Sequence, residues 1–140
     1  MPRWLSFVGP SDQGKTFLAK LIWTTMRPLL STSHCDYVTS LVYWPGFVDE
    51  LRAGNAYARA RDMRKWPLLV IDDIGAERDT TGFATEQLNT LLGCRTGKWT
   101  VLTANLTLEQ IAASEPRIAS RMIRDGSVAV DLNTTPYSLR

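Results

Sequence analysis

The sequence predicts an α/β fold, a three-layer sandwich with a mainly parallel central sheet. Three observations carry that expectation. Short apolar runs alternate with stretches at helical spacing along all 140 residues. The run Leu68–Asp72 is apolar on both faces, as a strand covered on two sides must be. The first strand breaks at a glycine-rich turn that leads directly into a helix, the connection from which parallel units are built.

Trp4–Val8 reads as the first strand, stopped by Gly9-Pro10. Lys15–Met26 reads as a helix with Phe17, Leu18, Leu21 and Ile22 on one face and Pro28 just beyond its end. Ser31–Cys35 is a polar connection, and a second strand runs to about Tyr43. Pro45 suits the first turn of a helix whose apolar face is Phe47, Val48 and Leu51 and which Gly54 ends. Ala56–Lys65 reads as an arginine-rich helix, Leu68–Asp72 as the buried strand, and the region around Thr85–Leu92 as a helix. A strand follows at Thr100–Ala104, and Thr107-Leu108-Glu109-Gln110 is a capping box opening a short helix. Arg117–Arg124 looks helical and Val128–Leu132 is a last strand. With no internal repeat and no linker, residues 1–140 are expected to form one domain.

Composition removes several classes. Sixteen Lys and Arg against 14 Asp and Glu give a net charge of +2, too little for a polybasic coat protein or tail. No apolar run approaches the roughly 18 residues a membrane span needs. The start of the chain lacks the pattern of a signal peptide, so a cytoplasmic protein without membrane contact is expected. Cys35 and Cys94 stand far apart with a single histidine, His34, which excludes a disulfide scaffold and gives no zinc-ligand spacing. The five tryptophans adjoin strands or sit in helices, where core packing outranks base stacking.

Gly9-Pro10-Ser11-Asp12-Gln13-Gly14-Lys15-Thr16 matches G-x-x-x-x-G-K-[ST] in full, after a strand and before a helix. Successive backbone N–H groups and the helix N-terminus make an anion nest suited to a triphosphate. Lys15 adds a positive charge at the β and γ phosphates, and the Thr16 hydroxyl can complete a Mg²⁺ shell. The expected fold is therefore a P-loop NTPase sandwich that binds a nucleoside triphosphate with Mg²⁺; ATP as that nucleotide is what the family resemblance below implies.

Leu68-Leu69-Val70-Ile71-Asp72-Asp73 is an apolar strand ending in two carboxylates. In open α/β sheets ligands bind at the carboxyl ends of strands, so these acids should face the phosphate loop. Asp72 would hold Mg²⁺ and Asp73 would polarise the attacking water. A turn cap after a core strand is the bland alternative for the pair. Asn105 ends a third strand, where its amide could orient water or read the γ-phosphate; read alone, a residue there is more often a strand-terminal turn residue. Arg117 and Arg121 stand at i and i+4 on one helix face and could reach the phosphates of a neighbouring subunit, against a solvated basic face as the plain reading. Arg59, Arg61, Arg64 and Lys65 could contact nucleic-acid phosphates, but Asp62 interrupts them and a solvated face remains the better reading.

Together Gly9–Thr16, Leu69-Val70-Ile71-Asp72-Asp73-Ile74-Gly75-Ala76-Glu77, Leu102-Thr103-Ala104-Asn105-Leu106 and Arg117-Ile118-Ala119-Ser120-Arg121-Met122 resemble the DnaC-type and IstB-type AAA+ ATPases. Val42–Arg52 resembles the second strand and helix of that family. The resemblance implies strand order 5-1-4-3-2, with the Asn105 strand between the phosphate-loop strand and the Asp-Asp strand. It implies Asn105 as the sensor-1 residue, Arg121 as an arginine finger in a homo-oligomer, and Arg117 as a weaker candidate. It further implies an ATPase that binds single-stranded DNA and places a replicative helicase on it in DNA replication. The IstB-type branch instead serves a transposase. A non-hydrolysing nucleotide switch and a small P-loop phosphotransferase are the remaining alternatives. Family members usually carry a region before the first strand that engages the helicase or transposase; three residues precede it here, so a core lacking a full N-terminal extension is expected. The ending Pro136-Tyr137-Ser138-Leu139-Arg140 loosely resembles the family's, making Arg140 a second-sensor candidate.

Overall fold

In chain order the elements are β1 (Arg3–Val8), α1 (Lys15–Leu30), β2 (Thr39–Tyr43), α2 (Trp44–Arg52), α3 (Tyr57–Met63), β3 (Leu68–Ile74), α4 (Phe83–Gly93), β4 (Trp99–Ala104), α5 (Leu108–Ser114), α6 (Pro116–Ile123) and β5 (Val128–Asp131). The computed structural model describes residues 3–11, 13–30, 39–77, 79–124 and 126–133. Asp12, His34, Cys35, the 31–35 connection and the 136–140 ending lie outside them.

All strand pairs are parallel, in the order β2-β3-β4-β1-β5. This is the order 5-1-4-3-2 read from the opposite edge. Alternation along each strand splits the core into two layers. Leu69 and Ile71 of β3, Leu102 and Ala104 of β4, and Trp4 and Val8 of β1 pack with residues of α2, α4, α5 and α6. Leu68 and Val70, Val101 and Phe7 point the other way, onto Ala19, Leu18, Ile22, Trp23 and Met26 of α1. The sandwich is therefore asymmetric, with one long helix on one face and several short ones on the other.

Helix α1 differs from its sequence-based expectation in two respects. Phe17 and Leu21 are 69% and 51% exposed, and the buried stripe is instead Lys15, Leu18, Ala19, Ile22, Trp23, Met26 and Leu30. Lys15 sets this register, because its ammonium turns into the preceding loop and Ala19 and Ile22 follow on the same face. The helix also continues through Pro28 to Leu30. The backbone bond that Pro28 cannot make would go to Thr24, and both residues are exposed, so water can take its place. The capping box forms as expected, with Gln110 N donating to Thr107 Oγ1 at 3.1 Å and Thr107 N to Gln110 Oε1 at 2.9 Å. Among the described residues no helix is long and apolar enough to cross a membrane.

Candidate functional site

β1, β4 and β3 lie side by side, and their carboxyl ends carry the phosphate loop, Asn105 and the Asp72–Asp73 pair. β1 is also where the topology reverses: the chain leaves it for the far edge at β2, returns through β3 and β4, and adds β5 on its other side. A crevice at such a switch point is the usual ligand position in an open parallel sheet.

The loop between Val8 and Lys15 is anchored at both flanks. Gly9 N donates to Leu106 O at 2.9 Å, and Leu132 N donates to Val8 O at 2.9 Å. Gly9 has φ 125, and a Cβ there would lie 2.5 Å from Leu132 O, so only glycine fits. Pro10 and Ser11 are exposed, Gln13 and Gly14 partly so, and Lys15 is only 5% exposed. Lys15 Nζ donates to Gly9 O at 3.1 Å and to Pro10 O. Burial pulls the Lys15 pKa down, while the charges of Asp73 and Asp72 pull it up.

The two carboxylates sit in an irregularity of the sheet. Ile71 pairs with Leu102 and Ile74 with Ala104, so Asp72 and Asp73 together face the single residue Thr103. Such a bulge re-aims side chains that would otherwise alternate between faces. Asp73 takes φ 65, a left-handed conformation found at no other described non-glycine residue. Asp72 is buried, and its Oδ1 accepts from Thr16 Oγ1 at 2.9 Å and from Thr103 Oγ1 at 2.5 Å. Asp73 N donates to Thr103 Oγ1 at 2.8 Å, and Asn105 Nδ2 donates to Asp73 Oδ1 at 3.0 Å. Burial and the neighbouring Asp72 raise the Asp73 carboxyl above its ordinary range, with Lys15 opposing them. The structure thus gathers Gly9, Lys15, Thr16, Asp72, Asp73 and Asn105 at one place.

The Thr16–Asp72 pair offers hydroxyl and carboxylate oxygens, the donor chemistry of a hard divalent cation such as Mg²⁺. The Thr16 hydroxyl donates to Asp72 in this bond, which leaves its oxygen lone pairs for a metal.

The arginines of α6 lie elsewhere. Arg121 is half-buried, its Nη1 donating to Asn89 O of α4 at 3.1 Å, and its guanidinium packs where Gly93 has no side chain. Arg117 is exposed and lines the same open groove between α4 and α6. On α3, Arg59 pairs with Glu50 at 3.8 Å and lies over the Phe47 ring, and Arg61 is exposed; beyond the helix Arg64 is partly exposed and Lys65 exposed.

No protein-family model matches the chain. Chromosomal replication initiator proteins DnaA from strains of Acinetobacter baumannii are 28% identical to it over 131 residues. That alignment covers 91% of this chain and 28% of the initiator, so the chain spans little more than a quarter of these relatives. Among solved structures, DnaI superposes with a TM-score of 0.74 at 23% identity, over 96% of this chain and 72% of that one. A DnaA replication initiator bound to AMPPCP and single-stranded DNA gives 0.72 at 14% identity, over 95% and 41%. The DnaC helicase loader gives 0.69 at 18% identity, over 94% of this chain and 78% of the loader.

The chain has a DnaC-like fold. Its five-stranded parallel sheet is the sheet of these neighbours, as the motif resemblance implies.

Three residues that shape this core escape a reading of the sequence. Thr103 joins the two aspartates, although it reads only as one more strand residue. Asp79 caps α4 from three residues before Gly82, accepting from Ala84 N at 3.1 Å and from Thr85 N and Oγ1 at 2.9 Å. Burial alone would raise the Asp79 pKa, but these bonds and the Arg52 charge hold it below the usual carboxylate value. Arg95 is fully buried and donates to Thr100 Oγ1 and to the carbonyls of Met63, Trp66 and Trp99, at 2.6–2.9 Å. Burial lowers its pKa to about 10, so it stays charged at neutral pH.

Proposed function

We propose that this chain binds ATP with Mg²⁺ and hydrolyses it as a helicase-loader-type protein acting on single-stranded DNA in replication. The observation that carries the reading is the convergence of Lys15, the Thr16–Asp72 pair and the Asp73–Asn105 pair at the ends of three adjacent strands. Gly9–Thr16 binds the triphosphate, with backbone N–H groups and the α1 N-terminus facing it and Lys15 adding charge. Thr16 and Asp72 hold Mg²⁺, which when bound neutralises charge building on the phosphate oxygens. Asp73 orients and deprotonates the attacking water, a role suited to a carboxylate whose pKa is raised by burial and by Asp72. Asn105 holds Asp73 and the water in place. Arg121, with Arg117 beside it, completes the site of a neighbouring copy in a homo-oligomer; its seat on α4, bonded to Asn89 rather than to the loop, supports action in trans.

The nearby DnaC helicase loader and the DnaA–single-stranded DNA complex support a replication role with DNA and a replicative helicase as partners. The test is the ATP hydrolysis rate against protein concentration, with and without single-stranded DNA. A specific rate that climbs with concentration and with DNA is expected. A flat, DNA-indifferent rate would contradict the loader reading and direct the search to an acceptor substrate. Lys15→Ala should weaken ATP binding by at least about tenfold, the loss of a buried charge-assisted contact; tight binding by that variant would remove the phosphate-loop assignment.

A further inference from the structure

We propose that Thr103 is the positioning residue of the acidic pair, its hydroxyl locking the metal-holding Asp72 and the water-activating Asp73 into one unit. The inference deepens the ATP-hydrolysis reading above and rests on it. Thr103 is 2% exposed and stands alone opposite the two aspartates in the β3–β4 bulge. Its hydroxyl has one proton and two lone pairs. The Asp73 N–H can only donate, so its 2.8 Å bond occupies a lone pair of Oγ1. The proton is then committed to Asp72 Oδ1 at 2.5 Å, a short hydroxyl–carboxylate bond. Both bonds have a fixed direction, and neither can form without the hydroxyl.

The consequences differ for the two aspartates. Asp72 Oδ1 receives two hydroxyl protons, from Thr103 behind it and from Thr16 on the loop side, and this fixes the carboxylate against the residue with which it would share a metal. Asp73 holds a left-handed backbone that its side chain disfavours, and the bond from its N–H to Thr103 is the contact that retains it there. The same conformation delivers its carboxylate to Asn105. Outer partners of metal-holding carboxylates act in this manner, and their loss typically costs about 10–100-fold in metal affinity or activity.

Thr103→Val keeps the shape and removes the hydroxyl, whereas Thr103→Ser keeps the hydroxyl and removes a methyl. A packing role would spare the valine variant and harm the serine variant; the hydroxyl role demands the reverse. The measurement is binding of a fluorescent ATP analogue by the full chain, first in EDTA and then titrated with Mg²⁺, followed by hydrolysis. We expect Thr103→Val to match wild type in EDTA, to need about 10–100-fold more Mg²⁺, and to hydrolyse ATP slower by a similar factor. Thr103→Ser should follow wild type. Should Thr103→Val not fold, Thr103→Ala takes its place with the same expectation. Wild-type Mg²⁺ dependence in the hydroxyl-free variant, or a serine variant as impaired as it, would overturn the proposal. A wild-type chain that binds no ATP at all would overturn the nucleotide reading and this inference with it, before any substitution is made.

Discussion

Asn105 and Asp73, 32 positions apart, are joined by a 3.0 Å hydrogen bond from Nδ2 to Oδ1 at the carboxyl ends of two adjacent strands. The amide thus holds the carboxylate proposed to activate water. Asn105→Ala should retain ATP binding and lose about 10–100-fold in turnover, the scale of one hydrogen bond to a charged group. Asp73→Ala should bind and turn over about 10²–10⁴-fold slower. Single-turnover rates on pre-bound Mg-ATP separate the two steps. Unchanged turnover in Asp73→Ala would exclude it as the base.

The raised Asp73 pKa makes a second prediction, about stability. Between its value in the unfolded chain and its higher value in the fold, the folded chain binds more protons. Stability therefore falls as pH rises through that window, and the loss persists above it. Asp73→Asn removes this penalty, so it should raise Tm at neutral pH, with the difference closing in acid below both values. Thermal unfolding across pH is the measurement, and a lower Tm for the variant at neutral pH would contradict it. In the wild type, hydrolysis should begin to fail at a higher pH than an ordinary aspartate would allow.

Arg121 is expected to act on a neighbouring copy. Arg121→Ala should bind ATP normally and lose turnover on the order of 10³-fold, as for arginines supplied in trans. Mixing it with Asp73→Ala should restore activity, because one mixed interface then carries an intact Asp73 and an intact Arg121. Two folded variants that give no recovery on mixing would count against an arginine acting across subunits.

Arg95 carries a purely structural prediction. Replacing it with methionine would remove all four guanidinium bonds, to the carbonyls of Met63, Trp66 and Trp99 and to the Thr100 hydroxyl. Urea unfolding should show a loss of at least about 3 kcal/mol, since each buried hydrogen bond to a charged group contributes about 1.5–3. A variant within 1 kcal/mol of wild type, on the order of an ordinary surface change, would mean that water replaces the guanidinium.

The sequence speaks clearly where one residue type has one physical reason. A full phosphate-loop motif between an apolar run and a helical run leaves little choice, and Thr107 with Gln110 caps a helix through side chains three residues apart. Strand order came from motif resemblance rather than from periodicity, because a parallel sheet's pairings are all distant in sequence. The face of α1 could not be read from periodicity, since Phe17, Leu18, Ala19, Leu21, Ile22 and Trp23 run apolar almost all the way round. The inward turn of Lys15 was the available signal. The bulge at Asp72–Asp73 left no mark, since a one-residue slip depends on what the partner strand offers, and Thr103 stands 30 positions from Asp73. Arg95 stayed invisible for a related reason: its partners are backbone carbonyls, which every residue possesses.

The pairing of β1 with β4 has a consequence for biosynthesis. Arg3 pairs with Trp99, so the partners stand 96 positions apart. At about 5–20 residues per second, the ribosome needs roughly 5–20 s to supply that partner. During that interval Trp4, Phe7 and Val8 have no sheet neighbour from β4 or β5, and the nascent chain presents an apolar segment suited to holdase chaperones. The phosphate loop that follows β1 emerges well before β4 and β5, and it acquires its final surroundings only after they arrive.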